Sequence, residues 1–173
     1  DLILDKLIDL KEDGSFKINM EYFNYATGLT MTNKKFSKLF GNPVRNPNKD
    51  LLKEFHMDIA ASIQAVTEEI VLRLTRSISK EYNIKNLCLA GGVALNCVAN
   101  GKILKEKVFE KIWIQPAAGD AGGSLGAALA YWHHELKMPR NHYKDQMNGS
   151  YLGPKLENNM IEDKLKNLKA IYK

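Results

Sequence analysis

The longest hydrophobic pattern in the chain lies between residues 50 and 80 and predicts an amphipathic helix. Apolar residues recur there every three or four positions, which places them on one helical face. They are Leu52, Phe55, Ile59, Ile63, Val66, Ile70, Leu74 and Ile78. We expect Asp50 to cap this helix, because a carboxylate at the N-cap accepts a hydrogen bond from a first-turn N–H group.

Shorter patterns precede this helix. Apolar residues at helical spacing predict a helix over residues 2–10. A turn signal, Asp13-Gly14, then precedes a short strand predicted at residues 16–18. Thr32 is the predicted N-cap of a further helix, which Gly41 ends.

The pattern changes after residue 85 to that of an α/β fold. Short apolar strands are predicted at residues 86–90 and 111–115, and a helix follows each of them, at residues 93–106 and from residue 122. A β-α-β-α unit of this kind predicts two parallel strands joined by a right-handed crossover.

Composition and charge exclude several classes of protein. The chain has 173 residues, of which 45% are hydrophobic and 26% charged, and this suits one globular domain. Most of the net charge of +5 lies in residues 137–173, away from the predicted α/β unit, so we expect no nucleic-acid partner. No apolar run of about 18 residues and no secretory leader is present, which predicts a cytoplasmic protein without a membrane partner. Cys88 and Cys97 are expected to be buried free thiols.

Glycine pairs mark the two places where a predicted strand passes into a helix. They are Gly91-Gly92 and Gly122-Gly123. Glycine lets a ligand approach the backbone closely, and a helix N-terminus suits phosphate. In open α/β sheets this edge is where ligands bind. The alternative is that the glycines only allow tight packing of helix on strand, and the P-loop and Rossmann fingerprints are absent.

Two polar residues accompany the glycine pairs. Asp120 could cap the helix that follows it, hold a metal ion, or hold a metal-bound phosphate. Asn96 could point towards a bound nucleotide or simply pack against the protein. The four histidines form no zinc motif, and we expect them to have structural or surface roles and the two tryptophans to lie in the core. No catalytic residue is identified.

Two stretches of sequence resemble the O-carbamoyltransferases, a family that includes nodulation-factor, cephamycin and tobramycin carbamoyltransferases. They are LCLAGGVALN at residues 87–96 and IQPAAGDAGGSLGAAL at residues 114–129. Segments at residues 13–23, 40–45 and 58–69 fit the family as well. The sequence YLGP at residues 151–154 resembles the start of the family's second domain.

The resemblance implies a fold and a reaction. Residues 1–150 would form part of the second lobe of an actin/Hsp70-like (ribonuclease H-like) ATPase domain, with additional helices. Residues 151–173 would begin a YrdC-like domain or form a linker helix. The family combines ATP with carbamoyl phosphate to give carbamoyl-adenylate. It then transfers the carbamoyl group to a hydroxyl of a sugar or another small-molecule natural product.

The resemblance also implies a set of site residues. By the family pattern and the turn geometry together, the nucleotide would contact Gly91, Gly92, Val93, Asn96, Gly122 and Gly123. Asp120 would hold a divalent metal ion, iron or magnesium, together with histidines of an H-x-x-x-H motif. This motif is absent here, so we expect an internal piece of a longer protein that is inactive by itself.

Two other functions are consistent with the same motifs. One is a threonylcarbamoyl-type tRNA-modifying ATPase, which shares the nucleotide-binding segments. The other is a non-catalytic interaction module that retains the lobe for packing. The open sheet edge expected of a partial lobe also allows a homodimer.

Overall fold

The computed structural model describes residues 2–140 and 147–172. The chain divides into two compact units, Asp1–Gly123 and Ser124–Lys173. The first unit contains the four strands of the described residues and the segments that carry both glycine pairs. The structure is mixed α/β, as the sequence predicts. The predicted division of the chain at residue 150 is tested neither by these units nor by the secondary structure.

The first unit begins with one wide helical turn, Ile3–Leu7, followed by an antiparallel hairpin. Strand β1 (Ile8–Leu10) pairs with β2 (Phe16–Ile18), and Gly14 lies between them at φ +88°. The predicted helix over residues 2–10 is therefore wrong in its second half. Pairing with β2 satisfies the backbone of residues 8–10, and this tertiary contact overrides the helical spacing of their side chains.

Helix α1 (Lys34–Phe40) begins one residue later than expected. Asn33 rather than Thr32 is its N-cap, and the Asn33 side chain accepts hydrogen bonds from the N–H groups of Lys35 and Phe36. The helix ends at Gly41, which takes the left-handed conformation at φ +69°, as predicted.

Helix α2 (Glu54–Tyr82) confirms the long amphipathic pattern, but its cap differs from the prediction. Lys53 occupies the N-cap, and its N–H group donates to Nδ1 of His56. The carboxylate of Asp50 instead accepts from the N–H group of Asn46, at 2.7 Å. Asp50 therefore orders the loop that precedes the helix.

The β-α-β-α unit follows in the predicted order. Strand β3 (Asn86–Leu89) leads into a short 3-10 turn (Gly92–Leu95) and helix α3 (Cys97–Glu106). Strand β4 (Lys111–Ile114) leads into α4 (Asp120–Ala130). The two strands are parallel, and their register runs from Asn86 opposite Lys111 to Leu89 opposite Ile114.

The core of the first unit lies on one face of this two-stranded sheet. Leu72 of α2, Leu87 of β3, Ile103 of α3 and Phe109 form one buried cluster. Side chains alternate along a strand, so Cys88 and its register partner Trp113 lie on the opposite face. Trp113 is 50% exposed.

The predictions that the cysteines are buried and that the tryptophans belong to the core are wrong. Cys88 and Cys97 are both exposed free thiols. Trp132, in the second unit, is exposed like Trp113. For Cys88 and Trp113 the reason is the sheet itself, because α2 and α3 cover only the face that carries Leu87 and Leu89.

The second unit contains the remainder of α4, a wide helical turn at Tyr131–Glu135, a short 3-10 turn at Asn148–Ser150, and helix α5 (Asn158–Asn167). The histidine at position 142 lies outside the described residues. Among the helices of the described ranges, none has the length and apolar character needed to cross a bilayer.

Candidate functional site

The structure brings the two glycine turns together. The backbone N–H of Gly91 donates to the carbonyl oxygen of Ala118, at 2.8 Å. A second backbone bond, from the N–H of Gln115 to the carbonyl of Leu89 at 3.2 Å, extends the ladder past the end of β4. Both turns therefore follow the carboxyl ends of parallel strands at one edge of the sheet, as the sequence predicts.

The backbone conformation at position 91 requires glycine, whereas close packing does not. It lies at φ +97° and ψ 162°, a region that side-chain-bearing residues rarely adopt. A Cβ atom placed on Gly91 would meet nothing within 4 Å, and the same holds for Gly92. Helix–strand packing therefore does not explain this pair, and the backbone here is open to a ligand.

The two glycines of the second pair differ: one is explained by tight packing and the other by space for a ligand. A Cβ atom on Gly122 would collide with the carbonyl oxygen of Ala117, so tight packing accounts for this glycine. A Cβ atom on Gly123 would meet nothing within 4 Å. Of this pair, Gly123 therefore leaves open space beside the first turn of α4.

The 3-10 turn after Gly91 presents backbone donors. Its hydrogen bonds begin with the N–H of Ala94, which donates to the carbonyl of Gly91 at 3.0 Å. The N–H groups of Gly92 and Val93 precede this first bond, as the leading donors of any helical turn do. The side chain of Val93 is 60% exposed and offers apolar surface beside these donors.

Asn96 is the N-cap of α3 and lies after the 3-10 turn, not one turn into a helix. Its Oδ1 accepts from the N–H of Ala99 at 3.2 Å. Its Nδ2 donates to Oε1 of Gln64 at 2.9 Å, and Nε2 of Gln64 donates back to Oδ1 of Asn96 at 3.1 Å. Both polar atoms of the half-buried Asn96 side chain thus have partners within the protein, which favours the packed interpretation.

Gln64 is a residue of this site that the sequence interpretation missed. It belongs to α2, and its amide also donates to Oε1 of Glu68 at 2.7 Å. Gln64, Glu68 and Leu72 follow one another at i, i+4 spacing, and Leu72 lies in the core. Gln64 and Glu68 are polar residues on the helical face that carries a core residue, and this pattern could have indicated a polar contact inside the protein.

Glu68 connects this pair to α3. It is only 6% exposed, and its carboxylate forms an ion pair with Lys102 of α3. The hydrogen bond from Lys102, followed by the one from Gln64, lowers the pKa of Glu68 below its ordinary value. Nearby, buried Asn100 donates to the carbonyl oxygen of Ala94 at 2.7 Å, which holds the 3-10 turn to α3.

In the part of the chain that the structure describes, Asp120 belongs to no cluster of metal ligands. Asp120 is exposed and is the first residue of α4, where a carboxylate favourably meets the helix dipole. Within residues 2–140 and 147–172, no three His, Cys, Asp or Glu side chains group together to hold a metal ion. One carboxylate supplies too few oxygen ligands for a divalent ion, so this donor set does not fit one by itself.

A family model described as Carbamoyltransferase N-terminus matches residues 1–129. The chain belongs to this carbamoyltransferase family. The matched range contains both glycine turns, Asn96, Gln64 and Asp120, so every residue of the candidate site lies within the family domain.

Relatives extend the similarity beyond the family domain. A protein of Synechocystis sp. named sll1178 is 61% identical over 99% of the chain, which covers 28% of that relative. Nodulation protein NolNO of Sinorhizobium fredii is 40% identical over 89% of the chain and 20% of its own length. Nodulation protein NolO of Bradyrhizobium diazoefficiens is 45% identical over 60% of the chain and 18% of its own length. This carbamoyltransferase-family chain thus spans less than a third of the length of each of these relatives.

Proposed function

We propose that the protein carrying this chain is an O-carbamoyltransferase. It combines ATP, carbamoyl phosphate and one water molecule to give carbamoyl-adenylate, pyrophosphate and inorganic phosphate. Water releases inorganic phosphate from carbamoyl phosphate, and the carbamate oxygen then attacks the α-phosphorus of ATP and displaces pyrophosphate. A hydroxyl group of a sugar or another small-molecule natural product then attacks the carbamoyl carbon, and AMP leaves. Family membership supports the reaction class. The observation that carries the proposal is the bond from Gly91 to Ala118, which holds two glycine turns together at the ligand-binding edge of the sheet.

The proposed fold is part of the second lobe of an actin/Hsp70-like ATPase domain. The parallel β3–β4 pair, with a helix after each strand, is the part of the chain that supports it. In this arrangement the nucleotide lies across the carboxyl edge of the sheet, between the Gly91–Asn96 turn and the start of α4.

The proposed roles follow from what each residue offers. Gly91 and Gly92 have no side chain and open space above them, so phosphate oxygens can approach the backbone. The N–H groups of Gly92 and Val93 then donate to those oxygens. Gly123 leaves the first turn of α4 accessible, and the positive end of this helix stabilises charge that develops on the phosphates. Asn96 holds the turn in position, whereas Gly122 contributes by packing.

No step of the reaction is assigned to a metal ion, because the described donor set does not fit one. Asp120 remains a predicted ligand whose partners would have to come from other residues. Formation of carbamoyl-adenylate by the variant Asp120→Ala should therefore be measured with magnesium and with iron.

The proposal is tested by product analysis on the longest natural form of the protein that carries this sequence. It is incubated with ATP, carbamoyl phosphate and a divalent metal, and carbamoyl-adenylate and pyrophosphate are measured by mass spectrometry. We expect both products from the wild type and a loss of at least about tenfold from Gly91→Ala, because alanine disfavours φ +97°. Gly41→Ala is the matched control, since Gly41 also has positive φ and open space but ends helix α1.

Other outcomes identify the alternatives. Threonylcarbamoyl-adenylate, formed when threonine and bicarbonate replace carbamoyl phosphate, would support the tRNA-modifying ATPase instead. If neither adenylate forms with any metal tested, the enzymatic proposal would be overturned and the interaction module would be supported.

A further inference from the structure

The strongest unassigned feature of the structure is a row of polar contacts that runs from α3 through α2 to the Gly91–Asn96 turn. It consists of Lys102, Glu68, Gln64 and Asn96, and it ends at the N–H of Ala99. Its members come from two helices, and they are far apart in the sequence. None of these side chains belongs to the apolar cluster of Leu72, Leu87, Ile103 and Phe109, so the row is a second connection between α2 and α3.

Each member of the row fixes the orientation of the next. A carboxylate only accepts hydrogen bonds, so Glu68 requires the NH₂ group of Gln64 to face it. The same NH₂ group also donates to Oδ1 of Asn96, while Oε1 of Gln64 accepts from Nδ2 of Asn96. If either amide turned over, donors would face donors and acceptors would face acceptors. The charge on Lys102 holds Glu68 in turn.

This orientation is transmitted to the glycine turn through Asn96. The Asn96 N–H donates to the carbonyl of Val93 at 2.9 Å and so closes the 3-10 turn. Its side chain caps α3, and Gly91 at the other end of the segment is held by Ala118. The segment Gly91–Asn96 is therefore fixed at both ends, and Gln64 is the residue of α2 that holds the second end.

We propose that Gln64 is a positioning residue of the nucleotide-binding turn, which holds Asn96 so that the N–H groups of Gly92 and Val93 face an adenine nucleotide. This inference rests on the proposed function. Gln64 does not contact the nucleotide, and its effect on binding passes through Asn96.

The structure provides a matched control for a general effect on stability. Arg76 of α2 donates from Nε to Oε2 of Glu106 of α3 at 2.9 Å, and it forms an ion pair with the same carboxylate. This contact joins the same two helices as the Gln64 row, three helical turns further along α2. Gln64→Met and Arg76→Met each keep an unbranched side chain and remove the polar connection.

The test measures KM for ATP and kcat for adenylate formation in the longest natural form of the protein, with direct ATP binding by calorimetry. Gln64→Met removes the hydrogen bonds that hold Asn96, and it should raise KM and Kd for ATP by about tenfold. The value of kcat should stay within about twofold. Arg76→Met should leave both constants within about twofold. Gln64→Glu, of nearly the same shape, keeps no donor for Glu68 or Asn96 and should weaken ATP binding in the same way.

Three outcomes would overturn the inference. Unchanged ATP binding in Gln64→Met, with a normal wild type, would show that the row does not position the turn. An equal loss in Arg76→Met would show that α2–α3 stability alone is responsible. A wild type that binds no ATP and forms no adenylate would overturn the proposed function, and the inference with it.

Discussion

The backbone N–H of Gly91 donates to the carbonyl oxygen of Ala118 at 2.8 Å, and this bond joins the turns that follow two different strands. Gly91 reaches this position at φ +97°, where it has no close neighbour above its Cα. Formation of this bond therefore requires a backbone conformation that glycine adopts without strain and that strains any other residue.

Substitution of Gly91 should therefore destabilise the protein in a way that substitution of Gly92 does not. Gly91→Ala should lower the free energy of unfolding by about 1–3 kcal/mol, because an L-residue at φ +97° and ψ 162° is strained by this amount. Gly92 has open space and lacks a positive φ, so Gly92→Ala should change it by less than about 0.5 kcal/mol. Urea denaturation of the two variants checks this difference. Equal effects would mean that the conformation of Gly91 is not what requires glycine.

The second glycine pair should separate stability from ligand binding. Gly122→Ala places a methyl group against the carbonyl oxygen of Ala117 and should cost about 1–3 kcal/mol. Gly123→Ala has open space within α4 and should leave stability unchanged or raise it by up to about 1 kcal/mol. If the proposed nucleotide approaches here, Gly123→Ala should nevertheless weaken ATP binding, as calorimetry would measure. A stable variant with normal ATP affinity would remove Gly123 from the site.

The features that could be predicted from the sequence are those encoded by neighbouring residues. An apolar run closed by Gly91-Gly92 and another closed by Pro116 are local signals, and they locate β3 and β4 and their parallel pairing to within a residue or two. The amphipathic spacing of α2 is equally local.

The features that could not be predicted depend on residues far apart in the chain. The pairing of Gln64 with Asn96 joins two helices, and no local pattern specifies which amide meets which. Alternation along β3 and β4 separates Cys88 and Trp113 from Leu87, but it does not tell which face the helices cover. For the same reason the metal site expected at Asp120 stays a prediction, since its other ligands are not in the local sequence.

Asn96 provides a test of how the turn is held. Asn96→Ala removes the cap of α3 and leaves Oε1 of Gln64 without its donor, so it should lower the free energy of unfolding by about 2 kcal/mol, roughly 1 for each loss. Asn96→Ser keeps a side-chain oxygen that can cap α3 but lacks the amide that pairs with Gln64, so it should cost about half as much as Asn96→Ala. Urea denaturation of both variants gives the order. A serine variant as unstable as the alanine variant would contradict the capping role.

The lowered pKa of Glu68 predicts a specific dependence of stability on pH. Its pKa is lower in the folded state than in the unfolded chain, because Lys102 and then Gln64 donate to the charged carboxylate. The stability that Glu68 contributes is therefore complete above its unfolded pKa, about 4.3, and is lost as the pH falls through the lower folded value.

The variant Glu68→Gln has no carboxylate to titrate at this position and should reveal that contribution by difference. The wild type should be more stable than Glu68→Gln near neutral pH, and the difference should shrink as the pH is lowered below about 4, followed by urea denaturation at each pH. Glu110→Gln is the control, because Glu110 pairs with Lys85 on the exposed surface, where an ion pair contributes little. A stability difference for Glu68→Gln that does not change with pH would show that the ion pair with Lys102 is not what holds the row together.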